Sequence, residues 1–369
     1  MTRIGFAYNQ KPDPVVALST SRSGPRRQGA EIVEPSLDDE YAEWDTPETI
    51  AAVEQALAFC GEVVRLEADE TFPERLREAR PDIVFNIAEG REGPNRESHV
   101  PAICEFFGVP YTGSDPFTLS LCLDKARTKE VLAYRGVPTP PFIVIRDRAD
   151  SVRALRALRF PVFVKPVHEG SSKGVFSANL CRTPDELDSR VTALLHRYSQ
   201  PVIAEEFLPG DEFTCGVIGN GSDARVLPIV ALCFKALPNG AAPIYGFEAK
   251  WIWDTPAEPL DIFECPAPVS NERRAAIERV TLDAYHALGC RDWSRIDVRL
   301  DAGGNPQVLE VNPLPGILPD PAENSCLPKA ARVAGMSYDE LIQACLLAAA
   351  RRQGVRLAKR GRARRRAAA

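Results

Sequence analysis

The amino-acid sequence predicts an α/β protein assembled from more than one packed unit, and three observations carry that expectation. Short apolar strands alternate with capped helices up to about residue 115, a pattern that builds an open parallel sheet. From Glu212 onward the pattern changes to longer strands and tight turns. A chain of 369 residues is also long for one compact core and suits two or three subdomains.

In chain order, residues 3–9 read as a buried first strand. Residues 10–44 form a Pro/Ser/Arg-rich connection without periodicity, and so long a connection is either functional or disordered. Thr46-Pro47-Glu48 marks a helix start, with Thr as N-cap and Pro in the first turn. Its apolar positions are Ile50, Val53, Leu57 and Phe59, and it ends near Gly61. A strand over 62–66, a short helix over 73–79 and a strand over 82–88 follow. A second unit begins near Asp115. One helix over 123–135 closes at Gly136, ahead of Val137-Pro138. Strands are expected over 142–145, 160–165 and 202–207. Between the last two, the capping box Thr183-Pro184-Asp185-Glu186 opens a helix toward Arg197. Strands over 213–218, 225–232, 296–300 and 308–311 come next, the last two joined at the turn Asp301-Ala302-Gly303-Gly304. Ser270 opens a helix to about Leu288, and Ser337-Tyr338-Asp339-Glu340 caps another that ends near Ala350. The expected division is 1–115, 116–207, 208–350 and a basic, disordered tail over 351–369.

Composition narrows the function classes. Apolar residues make up 44% and charged residues 26%, which is ordinary for a soluble globular protein. A formal net charge of -6 provides no global field for nucleic acid, so no nucleic-acid partner is expected. None of the ten cysteines forms a C-x-x-C pair and most sit in apolar runs, so buried free thiols fit better than disulfides or a zinc site. No signal-peptide core and no apolar run of membrane-spanning length are present, and the expectation is a cytoplasmic protein with no membrane partner.

Three segments carry chemistry. In Phe163-Val164-Lys165-Pro166-Val167-His168-Glu169-Gly170-Ser171-Ser172-Lys173-Gly174-Val175 a buried strand delivers a lysine ahead of a Gly/Ser-rich turn. Lysine supplies a point charge for phosphate oxygens, and glycine lets backbone N–H groups approach them. The segment lacks the Walker A order, and a plain hairpin with a small-residue turn is the competing reading. In the second, Arg295-Ile296-Asp297-Val298 faces Leu309-Glu310-Val311-Asn312-Pro313 across a hairpin. Period two puts Glu310 and Asn312 on one face, and pairing brings Asp297 beside them. Two carboxylates and an amide oxygen make a hard site suited to Mg²⁺ shared with phosphates; the competing reading is a polar outer face. In the third, Ala204-Glu205-Glu206-Phe207-Leu208 with Glu212-Phe213-Thr214 can line an adenine slot, with Glu212 accepting from ribose hydroxyls, or can be an acidic linker.

Together and in this order, the motifs resemble the D-alanine–D-alanine ligase branch of the ATP-grasp superfamily. They are Val109-Pro110-Tyr111-Thr112-Gly113-Ser114, Leu123-Asp124-Lys125, Val164-Lys165-Pro166 with Glu169-Gly170-Ser171-Ser172, Phe247-Glu248-Ala249-Lys250, Ser294-Arg295-Ile296-Asp297 and Glu310-Val311-Asn312-Pro313. The resemblance covers about 81–350 and implies an ATP-grasp fold: a pre-ATP-grasp parallel sheet, then two lobes that grip ATP. It implies that Lys125 and Lys165 hold the nucleotide and its phosphates, with Ser172 in the loop that closes over them. Glu205, with Glu206 beside it, would meet the adenine and Glu212 the ribose. Lys250 would contact the transferred phosphate, and Asp297, Glu310 and Asn312 would bind two Mg²⁺ ions, or Mn²⁺. Arg295 and the Gly316 N–H would stabilise an oxyanion, and Ser325 would meet the acceptor carboxylate. A homodimer is also implied.

The departures cluster on the donor side. The family's N-terminal glutamate, which binds the first amino acid's ammonium, has no match. Trp251 replaces a tyrosine that would complete a hydrogen-bonded set with Ser171, and Glu89-Gly90 replaces a His-Gly motif, with Arg96-Glu97-Ser98 following. The expected function is therefore an ATP-dependent ligase joining two amino acids through an acyl-phosphate. Its pair is either D-alanine with D-alanine for the cell-wall peptidoglycan or another pair in small-molecule or peptide synthesis. A nucleotide-binding module without ligation is the alternative from another class. The loops over 171–174 and 251–259 are candidate lids. Arg96 and the 22–27 stretch could face an extra carboxylate, although solvated surface arginines are the preferred reading. Of four histidines only His168 is placed near ligand.

Overall fold

The computed structural model describes residues 2–12, 41, 43–254 and 260–357, without the Trp251 side chain. The 22–27 stretch, most of the 10–44 connection, the second half of the 251–259 lid and the tail from 358 lie outside the described residues. So does the role expected for the Trp251 ring.

The N-terminal sheet is parallel, in the order β2 (Glu62–Glu67), β1 (Arg3–Tyr8), β3 (Ile83–Asn86). Central β1 is an unbroken apolar run because both of its faces are covered. Ile4, Phe6 and Tyr8 pack on Ile50, Val53 and Leu57 of α1 (Pro47–Ala58), whose N-cap Thr46 accepts from Thr49 N–H. On the other face Ala7, Leu66 and Val84 meet α2 (Phe72–Ala79) and α3 (His99–Phe107). An unexpected helix, α4 (Pro116–Leu123), precedes the one expected over 123–135, which is α5 (Lys125–Tyr134). Asp124 breaks the run: its backbone is extended at φ -85 and ψ 96, and its carboxylate caps α5 by accepting from Ala126 and Arg127 N–H at 3.0 and 2.9 Å. The break sets Lys125 in the first turn of α5, its N–H on Val167 O at 3.2 Å.

A second, antiparallel sheet runs β4 (Phe142–Ile145), β7 (Val202–Glu206), β5 (Val162–Pro166), β6 (Leu180–Cys181). α6 (Arg148–Ala157) and α7 (Pro184–Tyr198) cover it and share a separate core of Ile145, Ala154, Val162, Val164, Leu187 and Leu194. Only half of the Thr183 capping box forms; the Glu186 carboxylate reaches one residue further, to Arg182 N–H at 2.6 Å.

The third sheet is antiparallel, in the order β11 (Phe263–Glu264), β10 (Val230–Leu232), β8 (Glu212–Ile218), β12 (Trp293–Leu300), β13 (Pro306–Asn312), with β9 (Arg225–Val226) on β8. The strand expected over 225–232 is split at Pro228, which has no N–H for a ladder. α8 (Asn271–Ala287) lays Ile277, Val280, Ala284 and Tyr285 on this sheet. The β12–β13 turn is closed by Asp301, whose carboxylate accepts from Gly303 and Asn305 N–H, both at 2.8 Å.

α9 (Cys326–Val333) leads to α10 (Tyr338–Gln353), which has a complete capping box between Ser337 and Glu340. α10 runs three residues past the expected end, so the tail reading is wrong for 351–353. Arg352 pairs with the fully buried Asp292 at 2.7 Å and donates to the carbonyls of Tyr111 and Gly113. Leu341, Ile342, Cys345 and Leu346 of α10 join α1 and β1 in one core. No described helix is long and apolar enough to cross a membrane.

Asp124→Ala removes the cap of α5 and should cost about 1 kcal/mol, read as a lower urea midpoint at unchanged slope. An unaltered midpoint would mean that the helix break is held by something else.

Candidate active site

A cleft of about 370 Å³ lies between the second and third sheets and is closed by loops of the N-terminal unit. One wall is built by β5, β7 and the first turn of α5. Lys165 and Lys129 project toward Glu205 of β7, with ion pairs of 3.2 and 3.5 Å. The three side chains are almost wholly buried, and one acid shared by two cations leaves a net positive charge there. Burial works against the charge on both lysines. At Lys165 the pull of Glu205 and Glu310 wins and raises its pKa, whereas Lys129, at 1% exposure the deepest, is pushed down to about 8. Lys129 also donates to Thr139 Oγ1 at 2.8 Å. Sequence reading missed it; the signal was a second lysine one helical turn after Lys125 on the same face.

Two expectations need correction. The Glu205 carboxylate is a counter-ion for two lysines, so adenine would have to compete with them for it. Glu206 lines the cleft, but its carboxylate is taken by Arg159, with contacts from 2.7 to 3.2 Å. Glu212 does face the cleft, held at 2.7 Å by Arg299, whose guanidinium stacks over Phe207 4.5 Å from the ring centroid.

The opposite wall is the β12–β13 hairpin. Register pairs Asp297 with Glu310 and Arg295 with Asn312, and a bulge after Asp297 lets Leu309 drop out of the ladder. All four line the cleft. Asn312 Nδ2 stands 3.4 Å from Asp297 Oδ2, Arg295 donates to the same oxygen at 3.0 Å, and Lys125 reaches Glu310 at 3.2 Å. Burial would raise the Glu310 pKa, but Lys125, Lys165 and Arg295 outweigh it and hold it at about 2, so this acid stays ionised. Two carboxylates and an amide oxygen, facing a lysine wall, form a hard oxygen set that fits a divalent cation shared with phosphates. Arg295 keeps a buried Nε–H without an acceptor, an unspent donor beside the cleft.

Loops close the remaining sides. Ser171 and Ser172 both have left-handed backbones, φ +49 and +62, a conformation costly for serine and retained mostly at functional turns. Ser172 donates to Tyr245 O at 3.2 Å, which ties the turn to the third unit, and Lys250 Nζ donates to Ser171 Oγ at 3.3 Å. Lys250 sits on a π-helical turn over 249–253, and burial, followed by Arg295, lowers its pKa to about 8. Gly316 lines the cleft, and a Cβ there would meet nothing within 4 Å. Ser325 lines it too, but its hydroxyl is engaged within its own loop, accepting from Leu318 N–H at 3.1 Å. His168 is not on the cleft; its backbone ties Arg96 to Gln200, and its Nδ1 is buried without a partner.

The N-terminal wall holds what sequence reading missed. Glu43 stands beside Gly170, is paired at 3.0 Å with both Arg96 and Lys173, and shares them with Glu169. Arg96 and Lys173 hold Glu43 ionised against its burial. Arg96, which the sequence offered for an extra carboxylate of ligand, instead serves this internal acid. Asp45, Glu89 and Glu97 line the same wall. The hint was the run Glu43-Trp44-Asp45 directly before the N-cap of α1.

The family model described as D-ala D-ala ligase C-terminus matches residues 131–347. An uncharacterized protein of Sinorhizobium fredii is 35% identical over 318 residues, 84% of this chain and 89% of its own length. A D-alanine--D-alanine ligase of Haemophilus ducreyi is 36% identical over 299 residues, 80% of this chain and 90% of its own. In three dimensions the chain resembles a D-alanine--D-alanine ligase of Bacillus anthracis solved with ATP, with a TM-score of 0.66, 22% identity and coverage of 96% of this chain and 99% of the other.

Lys129→Met should destabilise the fold by about 3 kcal/mol, because it strips one cation from a buried acid. A double-mutant cycle with Glu205→Gln measured in urea should recover part of that loss; additive costs would break the assigned pairing.

Proposed function

Because the chain belongs to the D-alanine–D-alanine ligase family and is an ATP-dependent ligase of the ATP-grasp fold that forms amide bonds, we propose that it couples two amino acids through an acyl-phosphate. The observation that carries the reading is the hairpin that sets Asp297 beside Glu310 and Asn312, across the cleft from Lys125 and Lys165. In the first step a carboxylate oxygen of one amino acid attacks the γ-phosphorus of ATP, and ADP leaves. In the second, the amine of the other amino acid attacks the acyl carbon, phosphate leaves and one proton is lost to solvent or phosphate.

Lys165 and Lys125 bind phosphate oxygens, and both are already buried, so little reorganisation is needed when substrate arrives. Lys250 lies between Ser171 and Arg295, where it neutralises the oxygens of the phosphoryl group in transfer. Arg295 holds the oxyanion of the tetrahedral intermediate through its unspent Nε–H, with the Gly316 N–H on the other side. Glu212 takes the ribose hydroxyls, and the linker after β7 lies along the adenine. Ser172 anchors the turn that keeps water from the reactive acyl group. Asp297, Glu310 and Asn312 would hold Mg²⁺, or Mn²⁺, which supplies charge neutralisation for the phosphates. Ser325 turns to the acceptor carboxylate once its internal hydrogen bond is exchanged. D-alanine, named for the relatives, is the first substrate to test for a role in peptidoglycan synthesis.

Glu310→Gln should abolish amino-acid-dependent phosphate release, and near-normal release would refute the metal assignment. Arg295→Ala should lower kcat by about 10²–10³ with little change in the KM for ATP. Chelation of divalent ions should stop turnover, and added Mg²⁺ or Mn²⁺ should restore it; turnover that persists in chelator would remove the metal from the reading.

A further inference from the structure

Along the N-terminal wall the described residues place more carboxylates than close cations. Five carboxylates, those of Glu43, Asp45, Glu89, Glu97 and Glu169, have three described cations as near partners, while Lys125 and Lys250 act on Glu97 and Glu43 from further off. Arg96 and Lys173 serve Glu43 and Glu169, and Lys11 faces Asp45. The other cations of the cleft have nearer ion or hydrogen-bond partners than these acids' side chains, Lys125 at Glu310, Arg295 at Asp297 and Lys250 at Ser171. Glu97 is 9% exposed, lines the cleft, and has no hydrogen bond or ion pair among the described residues.

An acid buried without a partner is costly, and folds retain such groups chiefly where a ligand completes them. Glu89 is held firmly in place. Gly90 N–H donates to Asn9 Oδ1 at 2.8 Å, Gly90 O accepts from Trp44 Nε1 at 3.0 Å, and a Cβ at Gly90 would strike Arg96 O at 2.3 Å. Burial and the neighbouring acids push Glu97 up to about 8 and burial pushes Asp45 to about 7, as crowding of like charges requires. Among the described residues no three acidic, histidine or cysteine donors converge on one metal-sized point. The charge is spread along the wall, which suits an extended organic cation better than an ion.

We propose that the amino acid seated beside Ser171 carries a second ammonium on its side chain, a diamino acid, held by Glu97 and Glu89. The inference rests on the ligase reading above and names the substrate class for one of its two places.

The test uses the full chain with ATP and Mg²⁺, and measures phosphate release and product mass. The probes are matched pairs in both chiralities: 2,4-diaminobutyrate against 2-aminobutyrate, and ornithine against norvaline. The expected result is a kcat/KM at least about tenfold higher for each diamino acid, with that amino acid supplying the carboxylate of the product. Glu97→Gln should reduce this preference at least about tenfold. ATP affinity and melting temperature report whether the variant is folded; should it fail to fold, the wild-type preference alone decides. Equal or better turnover of the neutral partners overturns the proposal and leaves the ligase reading standing. A folded Glu97→Gln with an unchanged preference overturns it as well. Absence of phosphate release with every amino acid, D-alanine included, overturns both.

Discussion

Two acids on neighbouring strands, Asp297 and Glu310, sit directly opposite one another in the hairpin ladder. Like charges in that position destabilise a sheet, so the pair exists only because cations surround it. Arg295 on the same strand takes one acid, and Lys125 reaches across from the first turn of α5 to take the other. Lys125 is there because Asp124 stops one helix and caps the next. The register of the third sheet, the helix break near its start and the lysine wall of the second sheet thus answer to one electrostatic requirement. Phosphates and a divalent ion can then enter by exchange, replacing internal partners with ligand ones, without a large change in buried charge.

How much of this was legible in the sequence follows from the range of the interactions. The hairpin of paired acids was, because period two and a turn signal are local, and they place Asp297, Glu310 and Asn312 on one side without knowledge of the rest. The expected phosphate lysine was too, since a lysine on an apolar strand before small residues has few other uses. The helix Pro116–Leu123 was missed although Asp115-Pro116 is a cap signal, because its run is apolar all round and shows no helical stripe. The split strand at Pro228 was readable and overlooked. Glu206 reaches the cleft, but its carboxylate is spent on Arg159, a partner that no local pattern announces.

The N-terminal wall resisted for a different reason. Glu43 finds Arg96 and Lys173 across 53 and 130 residues of chain, and no periodicity encodes such a meeting. It arises from the fold of three units against each other. The same applies to Lys129, whose importance depends on Glu205 arriving from a strand far along the chain. The motifs that carry the family resemblance do bring Lys125, Lys165, Glu212, Asp297, Glu310 and Asn312 to one cleft, whereas Glu205 and Glu206 there are already paired with lysines and Arg159.

One arrangement bears on how molecules get in and out. The last helix, α10, is built into the hydrophobic interior of the first unit, and Arg352 is latched to Asp292 and two carbonyls beyond it. The first and third units are therefore one block, sewn together by both ends of the described chain. The second unit keeps an interior of its own and meets the third through a small apolar cluster, Leu180 and Phe163 with Ala242 and Ile244, besides its turns and polar side chains. Admission of a nucleotide costs least if that unit swings as a jaw on a fixed base, and the ion pairs of Glu43 and Lys173 then act as its clasp.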